Sequence, residues 1–256
     1  MARVFITGSS DGLGLAAARS LIRDGHDVVL HARSIQRAAE TTVTVSGASK
    51  VVVGDLSNGE ATRSVAEQVN ALGRMDAVIH NAGIYSVPDR GSTPEGHAAV
   101  LAVNTLAPYM LTALIERPRR LVYLSSSLHR GGEGSLADLD WHERQWNSAK
   151  AYAESKLHLA AIAAALGRRW PDVISSAVDP GWVHTKMGGR SAPVDLETGQ
   201  RTQSWLAVSD DPQAKVSGCY WHNLVQQLPA SEVMEVGFQD RLLSELQELT
   251  GVALPS

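Results

Sequence analysis

Short unbroken apolar runs alternate along this chain with longer stretches of helical character. The runs "VFIT" (4–7), "DVVLH" (27–31), "VVVG" (51–54), "AVIH" (77–80), "LVYLS" (121–125) and "ISSAV" (174–178) are rich in β-formers on consecutive positions. That pattern predicts strands buried on both faces. Helix-like segments near 12–24, 58–72, 96–115 and 149–169 fall between or after them. Strand and helix in alternation predict an α/β domain, a parallel sheet covered on both sides. No repeat, low-complexity tract or linker splits the 256 residues, so one domain is expected.

Two segments break the rhythm. Residues 127–151 are polar, carry glycines and hold Trp141 and Trp146; the second irregular stretch runs from Gly181 to about Pro212. Both follow predicted strands, and the carboxyl edge of an open α/β sheet is where ligands bind. Loops of this length in compact domains are usually functional or disordered.

Composition narrows the partners. A 44% hydrophobic, 20% charged chain with net charge −4 and no long basic block is a poor match for nucleic acid or anionic membrane. The lone Cys219 excludes an internal disulfide framework and fits a reducing cytoplasm. "MARVFITGSS" is too short in apolar residues for a secretion signal. Asn104, Pro108 and Tyr109 interrupt the uncharged stretch from Ala98 to Ile115, which reads as a buried helix rather than a membrane span. His142 lacks a second histidine four residues on, and Cys219 with His222 lacks further ligands, so no metal site is expected. His129 lies near the serines at 125–127, yet no G-x-S-x-G occurs; it reads as a loop residue, not half of a hydrolase pair.

The chemistry-bearing signals begin at "TGSSDGLG", Thr7 to Gly14, where the first strand meets the first helix. Gly8, Gly12 and Gly14 allow a tight turn and close backbone approach. The following helix offers free N–H groups and a positive dipole end to a pyrophosphate. After the second strand, where an acidic residue would bond the ribose hydroxyls of NAD, the run "LHARS" places Ala32, Arg33 and Ser34. Arg33 can pair with a 2′-phosphate and Ser34 can donate to it, which favours NADP(H) over NAD(H). Asp11 adds no support, since a basic residue there would have helped. In "YAESK", Tyr152 and Lys156 are four apart on one helical face.

Taken in order, these segments resemble the short-chain dehydrogenase/reductase family across nearly the whole chain. "TGSSDGLG" is similar to its cofactor-loop motif, "GDLS" to the segment that holds adenine, and "HNAG" to its Asn-Ala-Gly motif, with His80 in place of a common asparagine. "VNTLAPYMLT", "YLSSS", "YAESK" and "DPGWVHT" complete the series. The resemblance implies a single-domain Rossmann fold, a doubly wound and mostly parallel sheet. It implies cofactor contacts from Gly8, Ser10, Asp11, Gly12, Leu13 and Gly14, then from Arg33, Ser34, Asp55 and Leu56. Asn81, Ala82 and Gly83 follow after the fourth strand, and Pro180, Gly181, Val183 and Thr185 close over the nicotinamide, with Tyr152 and Lys156 on its ribose side. Asn104, Ser126, Tyr152 and Lys156 match the catalytic positions; Ser126 is chosen by register, with Ser127 the alternative, and Asn104 could instead satisfy buried backbone groups. Ser126 and Tyr152 stand 26 residues apart, about twice the family's usual separation, which resembles the retinol-dehydrogenase-like and WW-domain-oxidoreductase-like branch and related bacterial ketoreductases.

The chemistry implied is reduction of a ketone or aldehyde, or oxidation of the alcohol. Lys156 is expected to favour phenolate at Tyr152 by its charge, while Ser126 directs the substrate oxygen. Trp141, Trp146, Trp182 and Met187, with Trp205 nearby, suggest a pocket for a hydrophobic small molecule; pinning of the loops is the alternative for each. Rival readings are an NADP(H)-binding sensor without turnover and a sugar-nucleotide epimerase or dehydratase. A homo-oligomer through helices 98–115 and 149–169 is possible, although core packing explains their apolar faces equally.

Overall fold

In the computed structural model, which describes residues 1–85 and 87–255, the six apolar runs are strands. They are β1 (Arg3–Ile6), β2 (Asp27–Ala32), β3 (Lys50–Val53), β4 (Ala77–His80), β5 (Arg120–Leu124) and β6 (Ile174–Asp179). With β7 (Cys219–His222) and β8 (Val225–Gln227) they form one sheet in the order β3-β2-β1-β4-β5-β6-β7-β8, and only β8 is antiparallel. The chain reverses its direction of travel across the sheet between β1 and β4, the switch point at which such sheets bind ligands.

Alternation along each strand explains why the runs are apolar throughout. Phe5, Val78, Leu121 and Tyr123 face one core cluster, while Val4, Ile6, Ile79 and Val122 face a second on the other side. The first cluster is closed by α3 (Gly59–Asn70), α5 (Ala107–Leu114), α6 (Ser148–Arg169) and α9 (Val236–Thr250). The second is closed by α1 (Gly12–Arg23) and α7 (Leu196–Val208). The remaining short helices are α2 (Ile35–Thr44), α4 (Ala99–Leu101) and α8 (Ser231–Met234). No helix among the described residues is long and apolar enough to cross a membrane.

Two expectations are corrected. The helix expected over 96–115 is interrupted: α4 passes into a π-helical stretch, Ala102–Leu106, before α5. Such π segments are frequent at functional sites, and Asn104 is its central residue. The irregular stretch expected to reach Pro212 ends earlier, because Asp195 accepts from Thr198 N at 2.7 Å and starts α7. Its buried face carries Gln200, Thr202, Gln203 and Ser204, which hides it from a hydropathy reading. Helix α6 is buried all round from Ala151 to Leu166, and Phe238, Leu242 and Leu246 of α9 join the same core.

Residues 127–151 form a folded insert. Trp141 holds left-handed backbone (φ 56°), an uncommon state for a bulky residue, and is 5% exposed. Its Nε1 donates to Glu154 Oε2 (3.0 Å), and the Arg144 guanidinium lies 3.9 Å over its ring. Arg144 also grips Glu154 with two bonds, 2.8 and 3.0 Å. Removing this cation would leave a buried carboxylate uncompensated, so Arg144→Met is expected to cost about 3 kcal/mol. A fall below about 1 kcal/mol in urea unfolding would show that the pair does not hold the insert.

Candidate active site

The loop between β1 and α1 is shaped by packing against the turn after β4. Gly8 and Gly12 have φ of 62° and 51°, and a Cβ on Gly8 would meet Ala82 Cα at 2.9 Å. Asn81 Nδ2 donates to the Thr7 and Gly8 carbonyls (2.9 and 3.2 Å), and Thr7 Oγ1 accepts from Ala82 N (3.0 Å). A residue the sequence reading missed completes the frame: His31, buried at the end of β2, accepts from Gly8 N on Nδ1 (2.9 Å). With Nδ1 accepting, its Nε2–H donates to Gly54 O (2.9 Å). Burial holds its pKa below the usual histidine range, which keeps the acceptor nitrogen free. Asp11 caps α1 by accepting from Gly12 N at 2.8 Å, while the N–H groups of Leu13 and Gly14 have no carbonyl partner within the helix. Ser10 is half-buried in the same turn.

At the end of β2, Arg33 is exposed and Ser34 caps α2, accepting from Arg37 N at 3.3 Å. Arg37, on the first turn of α2, is a second cation here that sequence spacing did not single out. Asp55 is exposed and holds Ser57 through its Oδ1, whereas Leu56 is buried in the core at 6% exposure. After β6, Asp179 Oδ1 accepts from Gly181 N (2.8 Å) and sets the Pro180–Gly181 turn, with φ 80° at Gly181. Val183 is buried and bridges to Val194, and Thr185 lies against Gly12, whose Cβ position is 3.6 Å from the threonine methyl.

Tyr152 and Lys156 come off α6 beneath the end of β5. The three serines after that strand have distinct surroundings. Ser125 is buried, and its Oγ donates to Lys156 O (2.8 Å). Ser127 is exposed, and Ser126 is the serine whose side chain acts on the Tyr152 hydroxyl, lowering its pKa. Lys156 is 4% exposed, donates to Leu124 O (2.7 Å), and holds its ammonium 5.4 Å from the Tyr152 ring centroid. Burial pushes its pKa down to about 8.

The expected depression of Tyr152 is not what these surroundings produce. Burial first, and the Asp179 carboxylate second, push its hydroxyl up to about 12, and hydrogen bonding to Ser126 only partly offsets this. Desolvation disfavours the phenolate more than the nearby cation favours it. The chain's own groups therefore keep Tyr152 protonated, the form that donates.

Asn104 is fully engaged. Its Oδ1 accepts from Ile84 N (2.8 Å), and Nδ2 donates to Ile84 O and Ser155 Oγ, both at 3.0 Å. It ties the chain after β4 to α6, so that Tyr85 meets the Tyr152 ring edge-on at 4.6 Å. Tyr85 is 40% exposed and is another residue the sequence did not reveal.

The aromatic candidates separate. Trp141 does not line an open site; it is buried against α6, and only a cavity of about 10 Å³ remains beside it, room for a single water. Trp146 packs edge-on to it at 5.6 Å and donates to Val87 O. Trp205 packs against Trp221. Trp182 and Met187 are 57% and 47% exposed, in the segment between β6 and α7. His129, expected as a loop residue, is buried under the serine turn, bonded to Ser126 O and Ala230 N.

Comparison with known proteins gives consistent matches. The pattern described as short chain dehydrogenase fits residues 2–194. The short-chain dehydrogenase chyC of Penicillium rubens is 40% identical over 260 aligned positions, covering all of both chains. Retinol dehydrogenase 13 of Homo sapiens is 28% identical, over 99% of this chain and 86% of its own length. The crystal structure of an uncharacterized protein from Mycobacterium Paratuberculosis superposes with a TM-score of 0.87 at 27% identity, covering 100% of this chain and 96% of that one.

Proposed function

The chain belongs to the short-chain dehydrogenase family, and on that premise we propose that it is an NADP(H)-dependent oxidoreductase of hydrophobic carbonyl compounds or their alcohols. The observation that carries this reading is the meeting of Tyr152, Ser126 and buried Lys156 at the carboxyl edge of the sheet.

The phosphate loop fits a dinucleotide: glycines too close to Ala82 and Asn81 for any side chain, and a helix start with unpartnered N–H groups. A bound nicotinamide supplies the hydride for reduction and accepts it in oxidation. Tyr152, held protonated, gives its proton to the carbonyl oxygen, and Ser126 donates a hydrogen bond that directs that oxygen. Lys156 keeps a positive charge near the phenol below pH ~8 and stabilises the phenolate left after transfer. Asn104 acts as a positioning residue, since its amide is spent on Ile84 and Ser155.

Arg33 and Arg37 at the start of α2 support NADP(H), with no carboxylate in the run Ala32–Ser34 to bond the ribose hydroxyls. Tyr85, Trp182 and Met187 are exposed apolar groups in the segments after β4 and β6 and support a hydrophobic substrate; a relative named for retinol points the same way. Trp141 and Trp146 instead hold the insert.

The test is NADPH and NADH oxidation by the purified chain across a panel of apolar ketones and aldehydes. Turnover with NADPH at several-fold higher kcat/KM than with NADH is expected. Tight NADPH binding without turnover anywhere in the panel would favour a sensor, and equal use of both cofactors would remove the role given to Arg33 and Arg37.

A further inference from the structure

His129 is a buried titratable side chain outside the reacting set. Ser126 starts a single 3-10 turn, Ser127–Gly131, and the i, i+3 spacing of such a turn brings residue 129 back over residue 126. The Ser126 carbonyl therefore accepts twice from one residue, from His129 N at 3.0 Å and from its ring Nδ1 at 2.7 Å. The far side of the ring faces Ala230, whose N–H donates to Nε2 at 2.9 Å. An accepting Nε2 puts the single proton of a neutral imidazole on Nδ1, so Nδ1–H is the donor to Ser126 O. Burial above all holds the His129 pKa below the usual histidine range, and Arg130 adds to it. The bond to Ser126 O and the carboxylates of Asp179 and Glu232 pull the other way without reversing the shift. The imidazole is fully buried and lies against the Tyr220 ring of β7, with 4.7 Å between centroids.

Ala230 is a firm support. It precedes α8, its carbonyl accepts from Val233 N at 3.1 Å, and Val233 is buried in the core. Arg130 ties the same turn to the same segment by donating to Leu228 O at 2.6 Å. On the other side, Ser126 Oγ accepts from Leu128 N at 3.2 Å, which orients the hydroxyl and leaves its proton to donate. We infer that His129 is the positioning residue for Ser126: its imidazole carries the fixed position of the Ala230 backbone to the Ser126 carbonyl, so that the hydroxyl of that residue stays aimed at the substrate oxygen. The inference rests on the role proposed for Ser126. A group held against a reacting atom loses rate steeply when misplaced, about a hundredfold for a shift of about 1 Å.

Two half-replacements divide the imidazole. An asparagine amide takes the place of Nδ1 and keeps the bond to Ser126 O, whereas a glutamine amide takes the place of Nε2 and keeps only the bond to Ala230 N. The full chain is assayed with NADPH and whichever carbonyl compound of the panel wild type reduces fastest. His129→Gln is expected to lower kcat roughly ten- to hundredfold, and His129→Asn by less than about threefold. KM and the NADPH dissociation constant should stay within about twofold in both. Because His129 acts through Ser126, adding His129→Gln to Ser126→Ala should cost no further kcat. Should the His129→Gln chain not fold, His129→Leu, which lacks both bonds, carries the same two expectations. Equal losses of kcat in the two half-replacements, with folding intact, would overturn the inference and make the imidazole a strut of the fold. So would a full loss from His129→Gln in the Ser126→Ala background. Turnover that falls with Ser126→Ala but not with His129→Gln sinks this inference alone. A wild type without turnover, or one that loses none with Ser126→Ala, sinks the role given to Ser126 beneath it as well.

Discussion

Tyr152→Phe is expected to lower kcat/KM for carbonyl reduction by about a thousandfold, within the usual range for loss of a positioned general acid. The substitution removes only the hydroxyl. The ring still packs on Tyr85, and α6 keeps its core contacts. NADPH affinity should therefore stay within about twofold and unfolding free energy within about 1 kcal/mol. Rate measurements with a fluorescence titration of NADPH separate these effects; a tenfold loss of binding would make the residue structural. The pH profile adds a second check. Tyr152 holds its proton up to about 12, through burial first and the charge of Asp179 second, so it cannot produce an alkaline limb near neutrality. The alkaline fall in kcat/KM should instead follow Lys156, near pH 8, as this buried amine loses its charge.

Lys156→Met is expected to destroy activity while making the protein more stable. Burial lowers the Lys156 pKa from 10.5 to about 8, a difference worth about 3 kcal/mol against the charged folded form. Below pH 8 the lysine is charged in both folded and unfolded chains, and the folded state bears that cost in full. As pH rises from 8 towards 10.5 the folded state sheds its proton first, so wild-type stability increases over that window. Methionine removes the charge but leaves the Leu124 carbonyl without its partner, a loss of about 1 kcal/mol. The net expectation at pH 7 is about 2 kcal/mol of added stability, or roughly 4–8 °C in Tm, together with a loss of at least about a thousandfold in turnover. Thermal unfolding at pH 7 and pH 10 tests it: the variant's advantage should shrink at the higher pH. A variant less stable than wild type at pH 7 would show that the lysine's packing and hydrogen bond outweigh its desolvation.

Much of this molecule was readable in one dimension. Strand runs, the glycine turn, and the i, i+4 pairing of Tyr152 with Lys156 depend on near neighbours and on the periods of helix and strand. The order of these segments carried the family. The exceptions have physical causes. The helix α7 escaped because its buried face is polar, and the break around Asn104 because a π turn leaves no mark on hydropathy. Trp141 looked like a ligand-pocket residue because composition cannot say which way a tryptophan points; its ring turned out to be the anchor of the insert on Glu154.

The site's electrostatics lay beyond the sequence altogether. His31 under Gly8, Arg37 against Asp11, Tyr85 on Tyr152 and Asp179 near the same phenol are pairs drawn from separate strands and loops. The reversal at Tyr152 is the sharpest case: a lysine four residues away argued for phenolate, and the folded protein favours the phenol. The sequence by itself determined most of the elements, their order and the candidates for the reacting groups, since local periodicity and motif spacing survive without a third dimension. Only the tertiary structure decided their protonation and their partners, because desolvation and charge act through space among groups the chain holds far apart.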